Sequence, residues 1–230
     1  MLVCLCGLPF AYSQETIHKK RVVVDPFDYS TVRTVVQQVF GTDQDIGRGI
    51  QAMLVKRITG DGKLIVVERG KLQKIEAEQD LNASNRAQRG TGARIGKIHG
   101  ADVLLYGDIV TFGRDDKKKV VAGGGLIGGV IGGIASAKKV DKAVVVIDYR
   151  LVDAETSEVI SSGEARGESS RKSSGMGGFL AGFAGGAGVV VDMTSSNFAE
   201  TIIGEATMDC VNKIAEILDT QVPQLATKKI

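Results

Sequence analysis

The residues equipped for chemistry are few and scattered. The chain holds two histidines and three cysteines. His18 lies in a charged stretch and His99 stands beside Gly100; neither has a carboxylate or cysteine at metal-ligand spacing. Cys4 and Cys6 fall in the apolar N-terminus, which leaves Cys210 alone within a helical pattern. A lone buried cysteine is more often a small core hydrophobe than a nucleophile. Gly90-x-Gly92-x-x-x-Gly96 misses the dinucleotide spacing, and Gly123-Gly124-Gly125 lacks the Gly-Lys-Ser/Thr ending of a phosphate loop. Asp25, Asp102, Asp108 and Asp148, at or within strand patterns, remain as material for a paired carboxylate. These residues point away from an enzyme, and no metal or cofactor is expected.

What does stand out is glycine. Of 30 glycines, 14 lie in two short stretches, Gly123–Gly133 and Gly175–Gly188. Each sits in an uncharged segment, Val120–Ala137 and Ser173–Val191, bracketed by Lys117–Lys119 and Lys138-Lys139, and by Arg171-Lys172 and Asp192. A flexible linker would be polar, yet Leu126, Ile127, Val130, Ile131 and Ile134 alternate with glycine pairs here. Two other readings remain. In the first, Gly124, Gly128 and Gly132, like Gly178, Gly182 and Gly186, recur every four residues and form a groove for close helix packing. In the second, each segment with its flanks forms a β-hairpin, since a membrane-spanning strand needs only about 9–11 residues. Every strand edge in lipid must be paired, so two hairpins require a ring of copies to close a barrel. Periodicity does not separate these two.

The elements around the segments read as follows. Residues 1–13 (MLVCLCGLPFAYS) have the apolar run and small-x-small end of a signal peptide cleaved before Gln14, and no lipid-attachment box. Arg21–Asp25 is strand-like and ends at Pro26; a polar stretch runs to Gln44. Asp45–Ile58 has helical apolar spacing, Gly60-Asp61-Gly62 turns, and Leu64–Val67 reads as a strand buried on both faces. Glu68–Glu78 is expected as a helix with Leu72 and Ile75 inward, residues 79–92 as a loop, and Ala93–His99 as a short helix capped by Gly100. Strands over Asp102–Phe112 and Ala143–Val152, a hairpin partner at Glu158–Glu168 and a helix over Phe198–Leu218 complete a mixed α/β domain. Net charge is +2, from 29 basic against 27 acidic residues, so no dominant nucleic-acid surface is expected.

Five stretches carry a family likeness: RVVVDPF at 21–27, GIQAMLVK at 49–56, LIVVERGKL at 64–72, ADVLLYGDIVTF at 101–112 and VVVIDYRLVDAETSEVI at 144–160. Their order, Glu68-Arg69 ahead of a helix, and the Val152-Asp153-x-x-Thr156-x-Glu158-Val159 hairpin make the chain resemble the curli-assembly secretion channel family, which includes holdfast-anchoring proteins. The resemblance covers most of residues 14–230. It implies a periplasmic α/β domain that assembles into a homo-oligomeric ring, with residues 120–137 and 173–191 as transmembrane hairpins of one outer-membrane barrel. In that barrel Leu126, Val130, Ile134, Phe179 and Phe183 are the larger side chains among the glycines. It also implies passive export of unfolded polypeptide, or anchoring of a surface adhesin. A loop after the first strand narrows the pore in that family; the matching aromatics here are Phe27, Tyr29 and Phe40. A related family with the same soluble domain activates cell-wall synthases and forms no pore. The alternative is therefore a periplasmic adaptor whose glycine segments contact protein.

Overall fold

A computed structural model describes residues 19–114, 140–172 and 191–224. The expected signal peptide at 1–13 and the two glycine-rich segments, apart from Val191, lie outside the described residues. The elements are β1 (Arg21–Val24), a 3-10 turn (Ser30–Val32), α1 (Arg33–Phe40), α2 (Ile46–Asp61), β2 (Ile65–Val66), α3 (Leu72–Ala83), β3 (Val103–Arg114), β4 (Val140–Asp153), β5 (Val159–Lys172), α4 (Ser196–Ala199) and α5 (Ile202–Gln221). The five strands form one mixed sheet in the order β2-β1-β3-β4-β5. β1 runs parallel to β2 and β3, and β3, β4 and β5 are antiparallel.

One face of the sheet makes the core. On β4, Ala143, Val145, Ile147, Tyr149 and Leu151 alternate into this core, and Val144 and Val146 on the other face are buried as well. α5 lies over β4 and β5, and α2 packs against α5. The inward stripe of α5 holds Ile202, Ile203, Ala206, Cys210, Ile214 and Leu218, at helical spacing. Thr201 caps α5 by accepting from Gly204 N–H at 2.9 Å, and Asp45 caps α2 by accepting from Arg48 N–H at 3.0 Å. α2 closes at Gly62, whose φ of 64° is the left-handed conformation that glycine adopts without strain. A Cβ on Gly167 would overlap the Ala206 carbonyl, so this glycine sets how closely α5 approaches β5.

Several expectations are corrected. The polar stretch before Gln44 contains α1, whose Val36 and Phe40, with Val32 ahead of them, are buried at four-residue spacing. β2 has only two residues and is an edge strand; Ile65 is 45% exposed, not buried on both faces. α3 starts at Leu72 and runs to Ala83, and Ile75 faces outward at 37% exposure. Residues 93–99 form turns and loop, not a helix, and Gly96 with φ 76° interrupts them. No helix among the described residues is long and apolar enough to cross a membrane.

Candidate functional site

The strands position the glycine-rich segments. Arg114, the last residue of β3, pairs in register with Ala143 of β4, and Val140, the first residue of β4, pairs with Lys172, the last of β5. The first segment therefore leaves and returns between neighbouring antiparallel strands, and the second departs from the strand next to them. All three strand ends lie side by side at one end of the sheet.

The return of the second segment is fixed by a residue that sequence reasoning missed. Gln44 is buried, and its side-chain amide bonds Val191 twice: Nε2 donates to the Val191 carbonyl, and Oε1 accepts from Val191 N–H at 3.0 Å. The amide thus satisfies both backbone groups of an extended residue 147 positions away, as a neighbouring strand would. Asp192 then accepts from the N–H and hydroxyl of Thr194 at 2.9 and 2.6 Å, bonds that hold its carboxyl below the usual carboxylate range. Ser195 caps α4 by accepting from Phe198 N–H. Gln44 sits among the polar residues Thr42, Asp43 and Asp45, so nothing in the sequence marks it, and its partner is too distant in the chain to infer.

The loop between β1 and α2 borders the same end. Asp28 bridges to Asp108 of β3, and Phe40 meets Phe112 of β3 with ring centroids 6.0 Å apart. The three aromatics nominated for a constriction divide here. Phe27 is 2% exposed and Phe40 6% exposed, both in the core. Phe27 is wedged between Gly107 of β3 and Gly47 of α2: a Cβ on Gly107 would stand 2.6 Å from the Phe27 ring, and one on Gly47 would overlap the Phe27 carbonyl. Tyr29 is half-buried, and its hydroxyl lies 3.5 Å from Asp43 Oδ1. Arg33 grips the same carboxylate through Nε at 2.9 Å and through Nη2. Partial burial, with the carboxylates of Asp43 and Asp45 nearby, pushes the Tyr29 hydroxyl pKa up from the ordinary tyrosine value.

The carboxylates considered for acid–base work are spread over the sheet. Asp108 and Asp148 are direct cross-strand neighbours on the face opposite the core, and Arg150 Nη2 holds Asp108 at 3.0 Å. Asp102 accepts from Arg21 N–H at 2.7 Å at the far end of β3, where it ties β1 down. Burial raises the pKa of Asp25. Cys210 is fully buried beneath β5, and that burial pushes its thiol pKa up to about 12, opposite to the shift that activates a nucleophile. Among the described residues no group of histidine, cysteine, aspartate or glutamate is placed to hold a metal ion.

The family described as "Curli production assembly/transport component CsgG" matches residues 11–228. No curated protein matches the chain. Among solved structures, the hypothetical protein CT253 from Chlamydia trachomatis is similar, with TM-score 0.53 and 13% identity over 89% of this chain and 98% of that one. The PelC dodecamer from Paraburkholderia phytofirmans has TM-score 0.37 and 12% identity over 87% and 86% of the two chains. The lipoprotein GNA1162 from Neisseria meningitidis has TM-score 0.30 and 15% identity over 69% and 88%. At these identities the CT253 likeness establishes shared fold and nothing more.

Proposed function

Since the chain belongs to the CsgG family of curli production assembly/transport components, we propose that it is one subunit of a ring-forming channel in the outer membrane. The channel would pass unfolded polypeptide or anchor a surface adhesin. The carrying observation is the alignment of the strand ends at Arg114, Val140 and Lys172, with Val191 pinned nearby by Gln44. An antiparallel β3–β4 pair can continue outward as one hairpin without a change of direction. β5 and the return at Val191 supply the feet of a second. Such hairpins need about 9–11 residues per strand to cross the hydrocarbon, and their edges are satisfied only by the next subunit's hairpins. Uncharged side chains then face lipid, while the α/β body stays in the periplasm.

Transport in this reading is passive. A closed ring encloses a lumen, and the loop from Pro26 to Asp43 narrows it. Tyr29 is the aromatic of that loop with exposed surface, steadied by Asp43 and Arg33. A narrow polar opening passes an extended chain and excludes folded cargo. The test is conductance in planar bilayers. Wild-type chain gives discrete single-channel steps, and Tyr29→Ala raises their size. Complete release from membranes by carbonate, with no conductance at any voltage, would instead assign the chain to the non-pore adaptor class.

A further inference from the structure

We propose that the subunits of this ring join head to tail, with the apolar groove beside β2 and α3 receiving the β4–β5 turn of the next copy. The inference rests on the ring reading above and names the two surfaces that would build it. The groove has a volume of about 590 Å³. Ile65, Ile75 and Ile98 line it, all exposed, and Arg69, Arg94 and Lys97 add positive charge against the single acid Glu68. Exposed apolar side chains gathered around an edge strand are an invitation to association, and a two-residue edge offers little pairing of its own.

The opposite margin of the sheet is its complement. The β4–β5 turn carries exposed Glu155 and Glu158, and Val159 beside them is 58% exposed. The turn is built firmly: Asp153 Oδ1 accepts from Glu155 N–H at 2.8 Å and Thr156 N–H at 3.0 Å, and Asp153 N–H donates to the Glu158 carbonyl at 2.9 Å. Arg94, Lys97, Glu155 and Glu158 have no oppositely charged partner among the described residues. One margin thus presents unmatched cations around isoleucines, and the other presents unmatched carboxylates around a valine.

Sheet register sets Ile65 of the groove close to the level of the turn's base. Ile65 pairs with Arg21, Val22 pairs with Val103, and Val103 pairs with Asp153 at the turn. Two copies placed side by side therefore bring turn to groove without sliding along the strands. Their strand ends at Arg114, Val140 and Lys172 then stay on the same side of the assembly. A two-fold contact of groove with groove would set cation against cation and stop at a dimer. A head-to-tail contact repeats until the rotation closes a ring.

The test uses the full chain in detergent, sized by mass photometry across a dilution series. Arg94→Glu with Lys97→Glu makes one variant, and Glu155→Lys with Glu158→Lys the other. All four sites are exposed, and thermal melts verify that both variants are folded. Each variant alone needs at least about tenfold more protein for half-assembly, because like charges now meet. An equimolar mixture regains assembly, since alternating copies set each reversed surface against its complement; a ring of odd count keeps one like-charged contact and regains assembly in part. Wild-type assembly with both variants unaffected, or variants that fail alone and also fail when mixed, would overturn the head-to-tail contact and leave the ring standing. A wild-type chain that is monomeric throughout would overturn the ring itself.

Discussion

The two margins of the α-helical layer use the same kinds of side chain to opposite ends. Where α5 crosses β5, apolar residues vanish from solvent: Phe198, Ile202, Ile203, Ala206, Cys210 and Ile214 are completely buried, and Gly167 lets the helix close onto the strand. Where α3 passes β2, Ile65, Ile75, Leu81, Ile95 and Ile98 remain exposed, and Gln79 is the one buried residue of the helix. Burial at the first margin stabilises the single chain. At the second, comparable side chains add little to folding, so their contribution is available for association. Hydrophobic residues alone do not say which role they take; the neighbour that covers them does.

The contrast can be tested from the strong side first. Phe198→Ala empties a site with no exposure beneath α5 and should cost about 3–5 kcal/mol, read as a lower denaturant midpoint. Gln44→Leu leaves the N–H and carbonyl of Val191 without partners and should cost about 1–3 kcal/mol. It should also raise amide exchange at Val191 before any change in α5.

Cys210 gives the packed margin a pH signature. Its folded pKa is raised, so the folded state holds the thiol proton more tightly than the unfolded state does. The associated stability is full below the ordinary thiol value of 9.0 and falls as pH climbs from there towards about 12. Cys210→Ala should flatten that alkaline decline in a urea-melt series, and the folded wild type should resist thiol-reactive dye at neutral pH. A steep decline that persists in Cys210→Ala would put the titrating group elsewhere.

On the open margin, Ile75→Ser should shift monomer stability by no more than about 0.5 kcal/mol. A loss as large as that of Phe198→Ala would mean the helix is packed more tightly than its exposure indicates. The smallest effect belongs to Glu168, whose pKa is lowered to about 2 by Lys142 at 2.8 Å and Arg166 at 2.5 Å. Its folded pKa is depressed, so its contribution is present above the ordinary value of 4.5 and is lost as pH falls towards 2. Because the group is exposed, Glu168→Gln should alter the acid limb of stability only slightly, and high salt should erase the difference.

Much of the frame was legible because its period is local. Alternation on β4 and the 3.6-residue stripe of α5 are repeated signals within one element, and both are found, although the helix expected from Phe198 is broken and starts afresh at Ile202 behind its Thr201 cap. α1 left a signal too: Val32, Val36 and Phe40 stand four apart, masked by the polar residues between them. The site was less legible. That Phe27 is core while Tyr29 is half-exposed depends on Gly47 and Gly107, which make room for one ring and not the other. The helix expected at 93–99 fails at Gly96, whose positive φ breaks it, and the exposed β2 shows that an apolar run at the sheet margin looks like interior when its neighbours are unknown.

The amino-acid order by itself determined the mixed α/β class, the long hairpin, the terminal helix and the two uncharged segments, because each is written in contiguous residues. Only the tertiary structure decided that both segments spring from the same end of one sheet, that Gln44 holds the return at Val191, and that Ile65 on one edge stands close to the level of Asp153 at the base of the β4–β5 turn. Those are relations between residues tens to more than a hundred positions apart. They are fixed by strand order and register, which no local pattern encodes.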